Sequence, residues 1–444
     1  MLFRQFVDDD LGCASYLIGD EEIGEAVVID PAYEIAPYLD EADHRDARLT
    51  RVLETHTHAD HVSGHGRLAL EHGLPVAIHE AAEAEYPHEP LVDGSEIEVG
   101  AVSIRTLHTP GHRPEHCCFA VVDRSRAAEP WLVLTGDSLF IGDAARPDLA
   151  VGAREGAEGL FESLHRLLEL ADGVEVYPGH VAGSLCGAGM SSKASSTIGF
   201  ERRFNRTLAV DDLHEFVSER LHVTTPQPPN MERIVELNRG PFVGAPAPLQ
   251  PMSPNGALVL DVRREQEFAA GHVFGAINVP LSGSSFATKA AFMLHPQERI
   301  ALHASSAAEV DDAARGLRSV GFLELAGYLL DPETSERSET YTVNDLERLL
   351  ADGSIEVVDV REKDERDEGY IPGSRHVPYR QARVCADELR NGRVVTICES
   401  GLRASIAASA LAHEGVDAHP ILGGGIPDWT AMGKPLVSFR RCGS

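Results

Sequence analysis

Between residues 56 and 61 the chain reads His56-Thr57-His58-Ala59-Asp60-His61, which places four potential metal ligands within six positions. Imidazole nitrogen together with carboxylate oxygen suits zinc or iron better than calcium. A lone histidine among the 21 of this chain is more often a solvated or hydrogen-bonded residue than a ligand. The clustering is what predicts a metal centre. Three more acid or imidazole residues stand directly after a glycine: His112 in Thr109-Pro110-Gly111-His112, Asp137 in Leu134-Thr135-Gly136-Asp137, and His180 in Tyr177-Pro178-Gly179-His180. Glycine at each of these places lets the backbone turn sharply and aim the next side chain at a common centre.

A second chemistry is written near the carboxyl end. The apolar run Arg393-Val394-Val395-Thr396-Ile397 leads into Cys398-Glu399-Ser400-Gly401-Leu402-Arg403, and a helical stretch begins at Ala404. A cysteine at a strand end, faced by successive loop N–H groups and a helix N-terminus, sits in positive potential that favours thiolate. Such a thiolate can attack the outer sulfur of a persulfide or thiosulfate. Glu399, Ser400, Gly401 and Leu402 would then cradle the sulfur carried on Cys398, and Arg403 would offer charge to an anionic acceptor.

These residues need strands to carry them. Leu49-Thr50-Arg51-Val52-Leu53 reads as a buried strand, so the histidine cluster lies on the loop at its carboxyl end, the usual place for chemistry in α/β folds. Cys13 to Ile18 and Ala26 to Pro31 read as an opening hairpin, with Cys13 as packing. A short helix follows the cluster, and His65 and His72 on it read as surface residues. Val102–Leu107, Cys117–Val122, Trp131–Leu134 and Val174–Tyr177 supply the remaining strands, and a helix runs around Leu160 to Leu170. Cys117 and Cys118, adjacent on a strand, point to opposite faces and share neither a metal nor a disulfide.

After helical segments to about Leu237, the run Pro241, Pro246, Pro248, Pro251, Pro254 reads as an extended linker. Beyond it lies an internal repeat. Val259-Leu260-Asp261-Val262-Arg263 with Gly271 and Val279-Pro280 returns as Val357-Val358-Asp359-Val360-Arg361 with Gly369 and Val377-Pro378. Each copy predicts an α/β domain with a parallel sheet. Aligned without a gap, the first copy has Ala304 opposite Cys398 and Glu309 opposite Arg403. It has lost nucleophile and cation and reads as a structural spacer. The predicted domains are therefore 1–240, 241–336 and 337–444.

Composition sets limits on partners. With 39 Lys and Arg against 70 Asp and Glu, the net charge of -31 repels phosphate backbones and anionic lipid, so neither nucleic acid nor membrane is expected as a partner. No stretch is apolar for the length of a membrane span, and the amino terminus lacks a secretory apolar core. Seven cysteines, an odd number without a regular framework, fit a reducing compartment. A cytoplasmic location is expected.

The motif His-x-His-x-Asp-His at 56–61, with His112, Asp137 and His180, resembles the metallo-β-lactamase superfamily. That resemblance implies an αββα sandwich with the metal at one edge. The segments Gly142-Asp143-Ala144-Ala145-Arg146-Pro147-Asp148-Leu149, Gly183 to Gly189 and Ser195 to Asn205 resemble its persulfide dioxygenase branch. Both repeats resemble rhodanese domains, which carry sulfur on a cysteine. Phosphatase relatives of the rhodanese loop enclose five residues between Cys and Arg, whereas Cys398 and Arg403 enclose four, which favours sulfur.

Spacing alone leaves two metal readings open. If all seven ligands are used, two zinc ions share a hydroxide that attacks a thioester, as in glyoxalase II-like hydrolases. If only His56, His112 and Asp137 are used, they form a two-histidine, one-carboxylate set around a single Fe(II), with positions open for O2 and substrate sulfur. The dioxygenase resemblance implies the iron reading, with His58, Asp60, His61 and His180 hydrogen-bonding around it. It implies oxidation of a low-molecular-weight thiol persulfide by O2 to sulfite, sulfur exchange between Cys398 and sulfite or thiosulfate, and a homo-oligomer. Cys186 is a candidate sulfur relay and Arg146 a candidate anchor for the thiol's carboxylate or phosphate. Arg113 and Ala145 depart from the family pattern, which has Thr and Gly there.

Overall fold

The computed structural model describes residues 1–148, 150–181, 191, 193–222, 227–353 and 355–438. The chain divides into two compact units, Met1–Pro246 with Arg318–Gly321 and Ala247–Leu317 with Phe322–Ser444.

The first unit is built on two six-stranded sheets. One takes β1 (Leu2–Val7), β2 (Ala14–Asp20), β3 (Glu25–Ile29), β4 (Arg48–Leu53), β5 (Val76–His79) and β6 (Glu89–Leu91) in that order. The other takes β7 (Glu96–Val99), β8 (Val102–His108), β9 (Cys117–Asp123), β10 (Leu132–Gly136), β11 (Glu175–Pro178) and β12 (Ser196–Thr197). Side chains alternate between faces along each strand. Val27, Leu53, Ile104, Cys117, Phe119 and Leu134 meet between the sheets, while Val28 and Val52 on one sheet and Cys118 and Val133 on the other face outward. Helix Ala153–Leu167 covers Cys118 and Val133 through Leu160 and Leu164. The result is the expected αββα sandwich. It begins one strand earlier than the expected hairpin, because β1 pairs antiparallel with β2 from Ala14 to Gly19.

In the second unit the repeat becomes two parallel four-stranded sheets. The first has the order β14 (Ile277–Asn278), β13 (Leu258–Asp261), β15 (Ile300–His303), β16 (Gly327–Leu329). The second has β18 (Arg375–His376), β17 (Glu356–Asp359), β19 (Val394–Ile397), β20 (Ala418–Pro420). The Asp-Val-Arg motif holds a turn in both. Arg263 forks onto Asp261 and donates to the Gly271 carbonyl at 2.9 Å. Arg361 forks onto Asp359 and donates to the Gly369 carbonyl at 2.7 Å. The first copy also supports the second: Asn278 Oδ1 accepts from Ser405 Oγ, and its N–H donates to Ser409 Oγ, both on helix Leu402–His413.

Candidate metal centre and cysteine loop

All four strand-end motifs reach one edge of the sandwich. The cluster follows β4, His112 follows β8, Asp137 follows β10 and His180 follows β11. Gly111 and Gly136 have φ of 146° and 46°, and a Cβ at Gly111 would strike the backbone of Leu160. These two turns are closed to other residues. Gly179 is needed for space, since a Cβ there would lie 2.6 Å from Asp137 Oδ1.

His56, His112 and Asp137 are fully buried, and one ligand atom from each lies within 4.8 Å of the others. Every other polar atom of the three is held. His56 Nδ1 pairs with Thr55 Oγ1 at 2.9 Å, and Thr55 in turn donates to Asp30. His112 Nδ1 lies 3.2 Å from the Arg146 carbonyl. Asp137 Oδ1 meets His180 Nδ1 at 2.8 Å. His56 Nε2 and Asp137 Oδ2 are left buried with no hydrogen-bond partner among the described residues. His112 Nε2 is 3.6 Å from Asp137 Oδ2. Buried polar atoms without partners are costly, and here they converge, which fits a cation. Burial, then the charges of His58 and His112, holds His56 well below its ordinary range, so it is neutral and able to ligate. Burial pushes the Asp137 carboxyl up, but His180 and then His112 outweigh it and keep it ionised.

The other four residues of the motif set lie beside this centre. His58 Nε2 is 3.3 Å from Asp30 and 3.2 Å from Glu54. Burial and His61 depress its pKa, yet the two carboxylates raise it to about 9. Asp60 lies 2.6 Å from His180 Nε2 and 3.1 Å from His61 Nδ1.

Several functional neighbours were not read from the sequence. Cys13, expected as packing, has its sulfur 3.4 Å from each of Asp60, His61 and His180. His65, expected at the surface, is buried and bonded to Glu54, because the helix start turns its ring inward. His116 accepts the Asp137 N–H at 3.0 Å through Nε2, and burial first, then His112, lowers its pKa to about 3. Asn238 donates to the carbonyls of His58 and His61 and accepts the Ser63 N–H, which clamps the motif loop. Arg113 pairs with Glu115, whose carboxylate also receives the Thr57 N–H. Arg146 is buried and forked onto Asp148, so it is its carbonyl that meets the centre. Cys186 lies outside the described residues.

In the second unit, Cys398 is buried at the end of β19 and its sulfur receives the Gly401 N–H at 3.1 Å. Gly401 has a φ of 105°, which turns the loop into helix Leu402–His413. Gly425 packs so tightly that a Cβ would strike the Cys398 and Glu399 carbonyls. Arg403 does not point free: both terminal nitrogens are held by Glu365 at 2.5 and 2.6 Å. In the first copy Ala304 stands where the second has Cys398, and the Glu309 carboxylate accepts the Ser305 N–H at 2.8 Å, so an internal anion occupies the loop.

The metallo-beta-lactamase superfamily matches residues 8–180, and the rhodanese-like domain matches 247–330 and again 342–432. The mitochondrial persulfide dioxygenase ETHE1 of Bos taurus is 32% identical over 248 residues, spanning 54% of this chain and 87% of that protein. The chain belongs to the persulfide dioxygenase family. The human ETHE1 is 31% identical over the same shares. A crystal structure of a metallo-beta-lactamase from Staphylococcus aureus is 29% identical with a TM-score of 0.70, covering 75% of this chain and 99% of that one. In this persulfide dioxygenase family member, two rhodanese-like domains follow the metallo-β-lactamase fold. No helix among the described residues is long and apolar enough to cross a membrane.

Proposed function

We propose that the chain is a mononuclear Fe(II) persulfide dioxygenase joined to a working sulfurtransferase. Residues 1–240 form the dioxygenase domain, 241–336 a rhodanese-like domain without chemistry, and 337–444 the active rhodanese domain. The observation that carries the metal assignment is the convergence of His56, His112 and Asp137, with two atoms left buried and partnerless. Bound there, Fe(II) would supply open coordination positions for O2 and for a sulfur anion.

The protein's own residues do the rest. Thr55 and the Arg146 carbonyl fix the two ligand rings, and His180 and the His116-bound amide fix the Asp137 carboxylate. Thiol persulfide, O2 and one water give thiol, sulfite and two protons. At the second centre, Cys398 attacks the outer sulfur of a persulfide, releasing thiol and holding that sulfur against the Gly401 N–H. Sulfite then takes it, regenerating the Cys398 thiolate and leaving as thiosulfate; the reverse sequence loads Cys398 from thiosulfate. Free thiols at all five described cysteines favour a reducing compartment such as the cytoplasm.

A second reading, a dinuclear zinc thioester hydrolase with docking rhodanese domains, is favoured by His58 Nδ1 and His61 Nε2, which also lack hydrogen-bond partners among the described residues. Reconstitution separates the two. Protein loaded with Fe(II) is expected to consume O2 with glutathione persulfide, and zinc-loaded protein is not. Thioester hydrolysis by the zinc form without O2 consumption by the iron form would overturn the proposal.

A further inference from the structure

The contrast between two neighbouring groups of ligand-type side chains carries a further conclusion. Around the proposed iron position, the facing atoms of His56 and Asp137 have no hydrogen-bond partner among the described residues. Asp60, His61 and His180, which the two-ion reading also counts as ligands, are instead knit to one another around a sulfur. Cys13 Sγ stands 3.4 Å from Asp60 Oδ2, to which it donates, 3.4 Å from His61 Nδ1 and 3.4 Å from His180 Nε2. His180 spends one ring nitrogen on Asp137 at 2.8 Å and the other on Asp60 at 2.6 Å. Two donors of one tetrahedral ion, each roughly 2.1 Å from it, stand about 3.4 Å apart, so a separation of 2.6 Å holds a proton and not a metal. Cys13, Asp60 and His61 stand close enough together to hold an ion, but of their facing atoms His61 Nε2 alone has no hydrogen-bond partner among the described residues, so a second ion would have to displace the hydrogen bonds that join them.

The sulfur is also fixed in place. The Cys13 carbonyl accepts the Asp8 N–H at 2.9 Å, and its neighbours Gly12 and Ala14 pair with Val181 and Gly179 at 2.9 and 2.7 Å. Both sides of Cys13 are thus tied to the strand end that delivers His180.

We infer that the Cys13 thiol fills the place of a second metal ion and so keeps the centre mononuclear. Cys13 is a specificity-determining residue: it selects the one-ion dioxygenase chemistry over the two-ion hydrolase chemistry of which the same seven side chains are capable. The inference rests on the single-iron reading above.

The test compares metal content in the full chain. Parent and Cys13→Ala, both in a Cys398→Ser background to remove the distal thiol, are stripped by chelation, reloaded anaerobically with excess Co(II), desalted and analysed for cobalt per chain and for the visible spectrum. The parent is expected to hold one ion, with no sulfur-to-cobalt charge-transfer band, and Cys13→Ala two. A second ion in the parent, or a sulfur-to-cobalt band that identifies Cys13 as a ligand, overturns the inference, as does a folded Cys13→Ala that still holds one. If Cys13→Ala does not fold, Cys13→Gly is loaded in its place with the same expectation, and a folded Cys13→Gly that holds one ion overturns the inference. Oxygen uptake by iron-loaded parent is scored separately, so failure of the dioxygenase reading is told apart from failure of this one.

Discussion

At the scale of single residues, the centre depends on side chains that never touch the metal. Thr55 links His56 to Asp30 and fixes the ring so that Nε2 faces inward. Losing a partner of a ligating histidine costs roughly 10–100-fold in metal affinity. Thr55→Val is therefore expected to weaken Fe(II) binding by about that factor with the far-ultraviolet circular dichroism unchanged; unaltered affinity in a chelator competition would refute the role. In the sulfurtransferase loop, Glu365 neutralises Arg403 through a two-point pair. Glu365 is partly solvent-exposed, so screening limits the effect. Glu365→Gln is expected to raise kcat/KM for thiosulfate a few-fold, up to about tenfold, because the freed guanidinium meets the dianion. A fall in that ratio would mean that Glu365 serves to position Arg403.

At the scale of elements, the motif loop is held by helix Met231–Arg239, which was read from the sequence only as part of a helical stretch. Asn238 on that helix makes three hydrogen bonds to the loop backbone. Removing it leaves buried carbonyls unpaired at a cost of about 1–3 kcal/mol. Asn238→Ala is expected to lower the free energy of unfolding by that amount, read as a lower denaturation midpoint, and to speed iron loss; an unchanged midpoint would contradict the clamp. The Asp-Val-Arg turn of the first repeat titrates. Burial raises the Asp261 carboxyl, but His303 and Arg263 outweigh it and hold it below its ordinary 3.8. A depressed folded value stabilises above the unfolded pKa and is lost as pH falls through the folded one. The stability difference between parent and Asp261→Asn, followed by the fluorescence of buried Trp429 in a Trp131→Phe background, is expected to be full near neutrality and to shrink in acid. A difference that grows in acid would refute the assignment. What the sequence disclosed here was local: the ligand motif and each strand-end glycine are defined by adjacent residues, and the repeat by two contiguous runs. Cys13, His116 and Asn238 were missed because their partners are up to 180 residues away and nothing in their own neighbourhoods marks them. β1 was missed because its partner strand, and not its own pattern, makes it an edge strand.

At the scale of the whole molecule, the proposed function joins in one chain a metal centre that would make sulfite and a thiol that would carry sulfane sulfur. Cys398→Ser is accordingly expected to shift the product of persulfide oxidation from thiosulfate toward sulfite and to remove the added sulfur seen on that peptide by mass spectrometry. An unchanged product ratio would assign the rhodanese-like domains to docking. The two-copy architecture was legible because the repeat is long and ungapped, and the αββα architecture because the ligand motifs resemble those of the metallo-β-lactamase superfamily. The metal was not legible, since seven ligand-type side chains suit one ion or two. The most direct test is to purify the chain from cells supplied with both iron and zinc, quantify each metal, and follow dissolved oxygen after adding glutathione persulfide. One iron per chain, with oxygen consumed and sulfite or thiosulfate formed, is the expected result; two zinc ions per chain and a flat oxygen trace from that preparation and from protein reloaded with Fe(II) would contradict the account.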